Sequence, residues 1–593
     1  MKQFQFNYEG EKNLISNLKR VKQWCDTSIV SGILFQIYSE TLDKDKIGDI
    51  CAVIKEKLPD ALYMGTSTNG NIIAGDISSN PISIVCTIYE YPSTKLMLLQ
   101  YPLTEENSHE VARSLISNID DNPWVKSVTT FTTMRGMSMT IYCEELSEIP
   151  PNIVFCGGGA FSEDINETAA FVFSSVGELS DHATVFLLTG GEDYYVRATH
   201  VTGWKPLGRS HEVTKASGAT LYELDGKPAY DVYYRYLNIK NDENFFSNTL
   251  EFPFLYKLNR QDILRAPIAS NEDGSLTMTA DIAENVQARI AYGDPSTILE
   301  IVYDTAVSFQ DFVPQAFTVF SCAARKTFWG IGEVGNETKP FQSLAPTSGF
   351  YTSGEFLRNG LYVNQHNVTL VIKAEREGDK GEEEIHKVEL YSEKFSGKVS
   401  MINRLATFIQ ASTEELYEVN RKLSELAITD GLTKLFNRAE IQRRISDKSR
   451  SLEKGGANGR LEAGAFLIMM DIDNFKSIND TYGHKEGDVV LIRLAEMLKR
   501  VIDENEPQAA AGRWGGEEFM VLLPDCNVER ATEMAELFRK SFSEIRFEQA
   551  GYRTMSVGVT ELIAGESPDI SCMRVDGALY EAKRTGKNKV IFC

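Results

Sequence analysis

The sequence predicts a multi-domain protein of α/β class, and three observations carry that expectation. The chain has 593 residues, too many for one core, and the usual domain size gives three or four units. Residues up to about 385 mix short apolar runs, such as 82–88, 184–188 and 370–372, with Gly, Asn, Asp and Pro. After a long helical stretch, the last third alternates helix-like and strand-like segments around a Gly-Gly hairpin, which predicts an α+β sheet with helices packed on it.

Composition narrows the class further. A hydrophobic fraction of 42% is ordinary for a globular chain, and a net charge of -23 argues against nucleic acid or an anionic membrane as partner. The charge is uneven: residues 427–593 hold 24 Lys+Arg against 27 Asp+Glu, so nearly all the acidic excess lies upstream, where it serves solubility. Nine scattered cysteines with no CxxC pair suit reduced thiols, not a disulfide framework or a zinc site. No apolar stretch near residue 1 resembles a signal peptide, and no window approaches the roughly 20 apolar residues of a membrane span. The expected location is the cytoplasm.

Taken in order, the acidic stretch 375–384 (EREGDKGEEE) reads as a solvated loop. The helical stretch runs from about 388 to 426. Within it Ile402, Leu405, Ile409, Ser412, Leu416, Val419, Leu423 and Leu426 alternate in steps of three and four. That is the a/d seam of a coiled coil, the alternative being an amphipathic helix lying on its own domain. Thr429 or Asp430 is placed to cap a helix carrying LTKLFNRAEIQRRI. Then come a strand at 465–470, a helix with Leu491, Leu494, Leu498 and Val501 on one face, and strands flanking Gly515-Gly516. A helix at 531–542, a strand at 554–560, a helix at 575–583 and a strand at 589–592 complete the pattern.

The chemistry gathers in this last third. Asp471-Ile472-Asp473 follows a buried strand, a place where carboxylate and carbonyl oxygens suit a hard cation. Arg513-Trp514-Gly515-Gly516-Glu517-Glu518-Phe519 puts two adjacent carboxylates at a tight hairpin, where they repel unless a metal or hydrogen bonds compensate them. GGEEF resembles the signature of the GGDEF family of diguanylate cyclases in its Glu-containing form. DGLTKLFNR at 430–438, DIDNFKSINDTYGHKEGD at 471–488, SVG at 556–558 and DGALYEAKRTGKNKV at 576–590 agree in order and spacing. The resemblance covers 430–593.

The resemblance implies a palm-like α+β fold and the condensation of two GTP into cyclic di-GMP with release of pyrophosphate. Asp471 and Glu517, with the Ile472 carbonyl, would hold Mg²⁺ (or Mn²⁺) against the phosphates. Glu517, helped by Glu518, would ease deprotonation of the attacking 3′-OH. Lys476, Lys583 and Lys587 would meet phosphates, Lys476 offsetting transition-state charge. Asn479 and Asp488 would read guanine. His484 in the same loop either approaches substrate or packs. Since each domain holds one GTP, two must face across a two-fold axis, so a homodimer through the coiled coil and the catalytic domains is expected. Two departures stand out. Lys587 occupies a position where relatives often have Arg, losing bidentate phosphate geometry. The product-inhibition motif RxxD is replaced by Glu506-Pro507-Gln508-Ala509.

Residues 28–368 resemble the FIST sensory domain, on Gly65-Thr66-Ser67-Thr68-Asn69-Gly70, Cys156-Gly157-Gly158-Gly159-Ala160, Phe320-Ser321-Cys322-Ala323-Ala324-Arg325, Gly349-Phe350-Tyr351-Thr352-Ser353-Gly354-Glu355 and His366-Asn367-Val368-Thr369. This implies a small-molecule sensor, amino acids being the ligands proposed for the family. Read from the residues, these segments are either loops turning backbone N–H groups toward an anion or simply turns. Arg325 and Glu355 either take a ligand's carboxylate and amine or form a structural pair. Cys156 and Cys322 lack a motif-level His and read as buried thiols.

The expected domains are a FIST N-terminal part at 1–230, a FIST C-terminal part at 231–385, a coiled-coil signalling helix at 386–428 and a catalytic domain at 429–593. The expected activity is a diguanylate cyclase regulated by a cytoplasmic small-molecule sensor. The alternative is a catalytically silent module that binds GTP or cyclic di-GMP and acts by protein contact.

Overall fold

A computed structural model of the chain describes residues 1–134, 136–163, 168–330, 333–379, 387–388, 401–456, 464–564 and 566–593. The side chains of 401–404, 424–426 and 453–456 lie outside the described residues, and with them the seam positions Ile402 and Leu426. Of the stretch 375–384 expected as a solvated loop, residues 375–377 instead end the buried strand Leu370–Glu377 and 380–384 lie outside the described residues. Val388, expected to start the long helix, is buried and not helical, and 389–400 lie outside the described residues. The chain divides into two compact units, Met1–Thr413 and Glu414–Cys593.

The first unit is built on three parallel strand pairs. Gly32–Ser39 pairs with Leu62–Ser67, Val125–Thr132 with Val154–Gly159, and Ala316–Cys322 with Thr347–Thr352, each pair separated by at least one helix. These strands are mostly buried although they mix Val, Ile and Phe with Gly, Ser and Thr. The aromatic side chains they send inward meet: Phe131 and Phe320 approach Phe350 edge-on, with centroids 5.3 and 5.6 Å apart. The Gly/Ser/Thr motifs sit at the ends of the second strands, and there they bond one another. Asn69 N donates to Tyr351 O (2.9 Å), Tyr351 N to Gly70 O (2.8 Å), Gly159 N to Gly354 O (2.8 Å) and Phe161 N to Ser67 O (3.0 Å). An antiparallel eight-stranded sheet over 204–293 completes the unit.

The helix α1 (Met401–Ile428) follows. Its described apolar seam residues Leu405, Ile409, Leu416, Val419 and Leu423 are between 44% and 64% exposed, so this apolar stripe is uncovered among the described residues. No helix among the described residues is long and apolar enough to cross a membrane.

In the second unit, α2 (Arg438–Gly456) precedes β1 (Gly464–Ile472), then α3 (Phe475–Tyr482), α4 (His484–Asn505), β2 (Ala510–Arg513), β3 (Glu518–Cys526), α5 (Val528–Ser543), β4 (Met555–Leu562), α6 (Pro568–Arg584) and β5 (Val590–Phe592). The sheet order is β2-β3-β1-β4-β5, antiparallel except for the last pair. β1 is apolar from Ala465 to Met470, where both its faces are covered. Phe466, Ile468, Met470 and Ile472 pack with Leu491, Leu494 and Leu498 of α4 and with Phe538 of α5. Ala465, Leu467 and Met469 pack with Ile441 and Ile445 of α2 and Leu579 of α6. Each Leu, Ile, Met or Phe side chain among them, fully buried, contributes about 1.5–3 kcal/mol.

One expectation is corrected here. The helix predicted to start near Thr429 or Asp430 starts at Arg438, and its cap is Asn437, whose side chain accepts from Glu440 N at 3.0 Å. Residues 429–437 instead form a turn bridged from Thr429 to Phe436. Asp430 accepts from Thr433 N and Oγ1 (2.9 and 2.7 Å), a local bond that competes with helix.

Candidate catalytic site

β1 ends in the carboxylate that anchors the site. The strand's alternation points Asp471 to the α6 side of the sheet, and the ladder sets it opposite Glu518 of β3 and Ser556 of β4. α6 comes close because Gly558 on β4 lacks a side chain: a Cβ there would lie 2.5 Å from both Val575 O and Leu579 N. That close packing brings Lys583 Nζ to 2.6 Å from Asp471 Oδ2.

Glu517 and Glu518 enter from the β2–β3 turn, both half-buried. The Glu518 carboxylate folds over Gly515, where a Cβ would come within 2.8 Å of Oε2. Nothing lies within 4 Å of a Cβ at Gly516, so the turn opens on free space. A cavity of about 510 Å³ adjoins it, lined by Glu518, Met573, Asp576, Leu579, Tyr580 and Lys583 among others.

Three carboxylates with one close ammonium leave the site short of positive charge. Burial pushes Asp471 above its ordinary carboxyl value, Lys583 opposes that, and the Asp473 charge adds to it. Glu517 and Glu518 are raised by burial first and by the Asp471 charge second. A hard cation ligated by oxygen would relieve this crowding, so the donor set suits Mg²⁺. Among the described residues no three His, Cys, Asp or Glu side chains are already arranged around one metal position.

The sequence placed Asp473 and Arg513 in its motifs without giving either a positioning role. Asp473 is buried and accepts from Thr554 Oγ1 (2.7 Å), Ser556 Oγ (2.7 Å) and Asn588 N (3.1 Å), tying β1, β4 and the turn after α6 together. That turn has Lys587 and Asn588 at positive φ, 61° and 46°, and Lys587 Nζ donates to Asn474 Oδ1 at 2.6 Å. Arg513 donates to the carbonyls of Gly515 (3.2 Å) and Gly516 (2.6 Å) and to Asp430 (3.2 Å). It thereby fixes the hairpin to the chain's entry into the unit. Only the adjacency of Arg513 to the two glycines hinted at this in the sequence.

The other predicted residues lie on α3 and α4. Lys476, His484 and Asp488 are exposed, with no hydrogen bond or ion pair among the described residues, and Asn479 is half-buried. Gly483, at φ 82°, makes the sharp turn between the helices. A Cβ on Gly487 would sit 2.0 Å from Asn479 Oδ1, so this glycine lets Asn479 lie beside the residue preceding Asp488.

In the first unit Arg325 and Glu355 do not pair with each other. Arg325, fully buried, pairs with Glu337 (Nε to Oε2 3.0 Å) and donates to Thr202 O (2.7 Å) and Val368 O (2.9 Å), a structural role. Glu355 is buried with neither carboxylate oxygen hydrogen-bonded, and burial holds it well above the usual carboxylate range. Burial pushes the Cys156 thiol up to about 12 and raises that of Cys322 as well. Both are free, as are all nine cysteines.

Comparison with known proteins agrees with this division. Residues 33–227 match the FIST N domain, 229–358 the FIST C domain, and 427–589 the family described as diguanylate cyclase, GGDEF domain. A diguanylate cyclase of Vibrio cholerae O395 is 38% identical over 184 residues, 30% of this chain and 54% of the relative. The diguanylate cyclase DgcM of Escherichia coli K12 is 41% identical over 125 residues, 21% of this chain and 30% of the relative. Among solved structures, the coiled coil and GGDEF domain of DgcB from Caulobacter crescentus, in complex with c-di-GMP, is 32% identical. It matches at a TM-score of 0.30, covering 33% of this chain and 100% of that one. The chain spans about half the length of the curated relatives it matches, or less.

Proposed function

The chain carries FIST N and FIST C domains followed by a GGDEF diguanylate cyclase domain, and we propose that it condenses two GTP into cyclic di-GMP under the control of its FIST part. The observation that carries this is the convergence of Asp471, Glu517 and Glu518 beside Lys583, at a hairpin open on its outer side. The GGDEF family typically uses Mg²⁺. Here Asp471, Glu517 and the Ile472 carbonyl would hold the ion, which when bound supplies charge neutralisation at the α-phosphate.

The chain's own groups do the rest. Glu517, with Glu518 beside it, takes up the proton of the 3′-OH. The freed oxygen bonds to the α-phosphorus of the other GTP, whose bond to pyrophosphate breaks. Lys583 and Lys587 hold phosphate oxygens, and Lys476 offsets the charge that grows on them in the transition state. Asp488 accepts from guanine N1–H and N2–H₂ and Asn479 completes the base contact. His484 borders the same pocket. The exposed stripe on α1 fits pairing with a second copy of the chain as a parallel coiled coil, bringing two half-sites together.

Incubation of the purified protein with GTP and Mg²⁺, followed by chromatography, tests the reading. Cyclic di-GMP and pyrophosphate are the expected products, with weak inhibition by added product because RxxD is replaced by Glu506-Pro507-Gln508-Ala509. GTP binding without product would leave the silent binding module instead.

A further inference from the structure

A second cavity, of about 410 Å³, lies inside the first unit. It opens between the helix Thr140–Leu146, in the segment matching FIST N, and the strands Phe254–Leu258, Gln261–Arg265 and Tyr362–His366. The strand Tyr362–His366 runs just past the segment matching FIST C. Ligand sites favour such junctions, and this volume is in their range.

Arg265 gives the cavity its chemistry. Arg265 lines the cavity, yet the residue is only 5% exposed. It donates from Nε to Asp281 O (2.8 Å), from NH1 to Leu264 O (2.9 Å) and Asn367 Oδ1 (3.2 Å), and from NH2 to Gln365 O (3.2 Å). All four acceptors are neutral. One of the five N–H groups of a guanidinium is left over, and no carboxylate lies within ion-pairing distance of it among the described residues. A buried charge whose hydrogen bonds go only to carbonyls is short of a counter-ion.

Glu355, which does not line the cavity, feels the Arg265 charge but is not within ion-pairing distance of it, and the cavity's own acids are engaged elsewhere. Asp281 already accepts from the hydroxyls of Ser138 and Thr140 (2.6 Å for Thr140), and Glu144 is on the exposed rim. Burial pushes the Cys143 thiol up to about 12, so that group is neutral.

We propose that this cavity binds a small organic carboxylate, its anion seated on Arg265 and its body against Tyr256, Ile282 and Ala283. The site rests on the reading of the FIST part as a sensor. It borders the motif His366-Asn367-Val368-Thr369, whose Asn367 Oδ1 accepts from Arg265, and none of the glycine-rich motif loops lines it.

Calorimetric titration of the full chain with lactate, pyruvate and succinate, against lactamide and propylamine, tests this. At least one acid should bind saturably at one site per chain, the amide and the amine not at all. Arg265→Gln should weaken that binding about tenfold to a hundredfold, the loss of a charge-assisted hydrogen bond. Since Arg265 also ties three carbonyls, Ala283→Phe provides a second variant that fills the cavity and should abolish binding, with the unfolding temperature measured alongside. No saturable binding of any acid, equal binding of lactamide or propylamine, or undiminished binding in folded Ala283→Phe would overturn the proposal. GTP turnover is read separately. Binding that leaves turnover unchanged would support the site and break the sensor reading.

Discussion

In the first unit the motif glycines press against neighbouring backbone. A Cβ on Gly157 would lie 2.0 Å from Thr130 O and one on Gly349 1.8 Å from Val319 O, each meeting the parallel partner strand. In the second unit a Cβ on Gly516 would meet nothing within 4 Å. The same residue type, in motifs of similar length and polarity, serves close strand packing in one place and open space in the other. Charge follows the same division. Arg325 is fully enclosed with Glu337, whereas Asp471, Glu517 and Glu518 crowd together beside one half-exposed Lys583. Polar motifs whose groups satisfy one another hold a fold together. Those left short of partners are where a ligand can repay the cost.

The contrast can be broken at either end, and the largest effect is expected in catalysis. Asp471→Ala or Glu517→Ala should lower cyclic di-GMP production by about 10³-fold or more, near 4 kcal/mol. Their thermal unfolding should stay within a few degrees of wild type. Wild-type turnover in either variant would remove the metal assignment.

Glu337→Ala should act the opposite way. It strands a buried guanidinium, at a cost of about 3–5 kcal/mol. Denaturant unfolding should show that loss in the first unit's transition. An unchanged midpoint would mean that the Thr202 and Val368 carbonyls suffice for Arg325.

Gly157→Ala and Gly516→Ala form a matched pair. The first should cost about 1–3 kcal/mol through overpacking against Thr130. The second should change stability by less than about 0.5 kcal/mol while reducing turnover. Equal stability losses in the two variants would erase the distinction between packed and open glycines.

The smallest expected effect concerns Glu355 and pH. Its folded-state pKa is raised by burial, so its contribution to stability is fully present below the unfolded value of about 4.3 and is lost as pH rises toward the folded value. Glu355→Gln should therefore gain about 1 kcal/mol near pH 8 and flatten the dependence of unfolding temperature on pH. If wild type and variant run parallel from pH 5 to 8, the carboxylate has a partner after all.

What the sequence by itself determined follows from local physics. The two-sided burial of β1, the one-sided face of α4 and the hairpin at Gly515-Gly516 are periodicities and turn chemistry, written in adjacent residues. Asp471, Glu517 and Glu518 stand at a strand end and a turn, which are local features, but their roles came from the resemblance to the GGDEF family. The tertiary structure alone decided which distant groups meet. Asp430 read as a helix cap and instead sits with Arg513, because the turn at 429–437 is stabilised by contacts that no helical pattern encodes. Arg325 found Glu337 rather than Glu355, and Asp473 found Asn588, 115 residues away. Pairings of this kind depend on how sheets stack and which helices press close, and stacking is a property of the packed chain that no single segment carries.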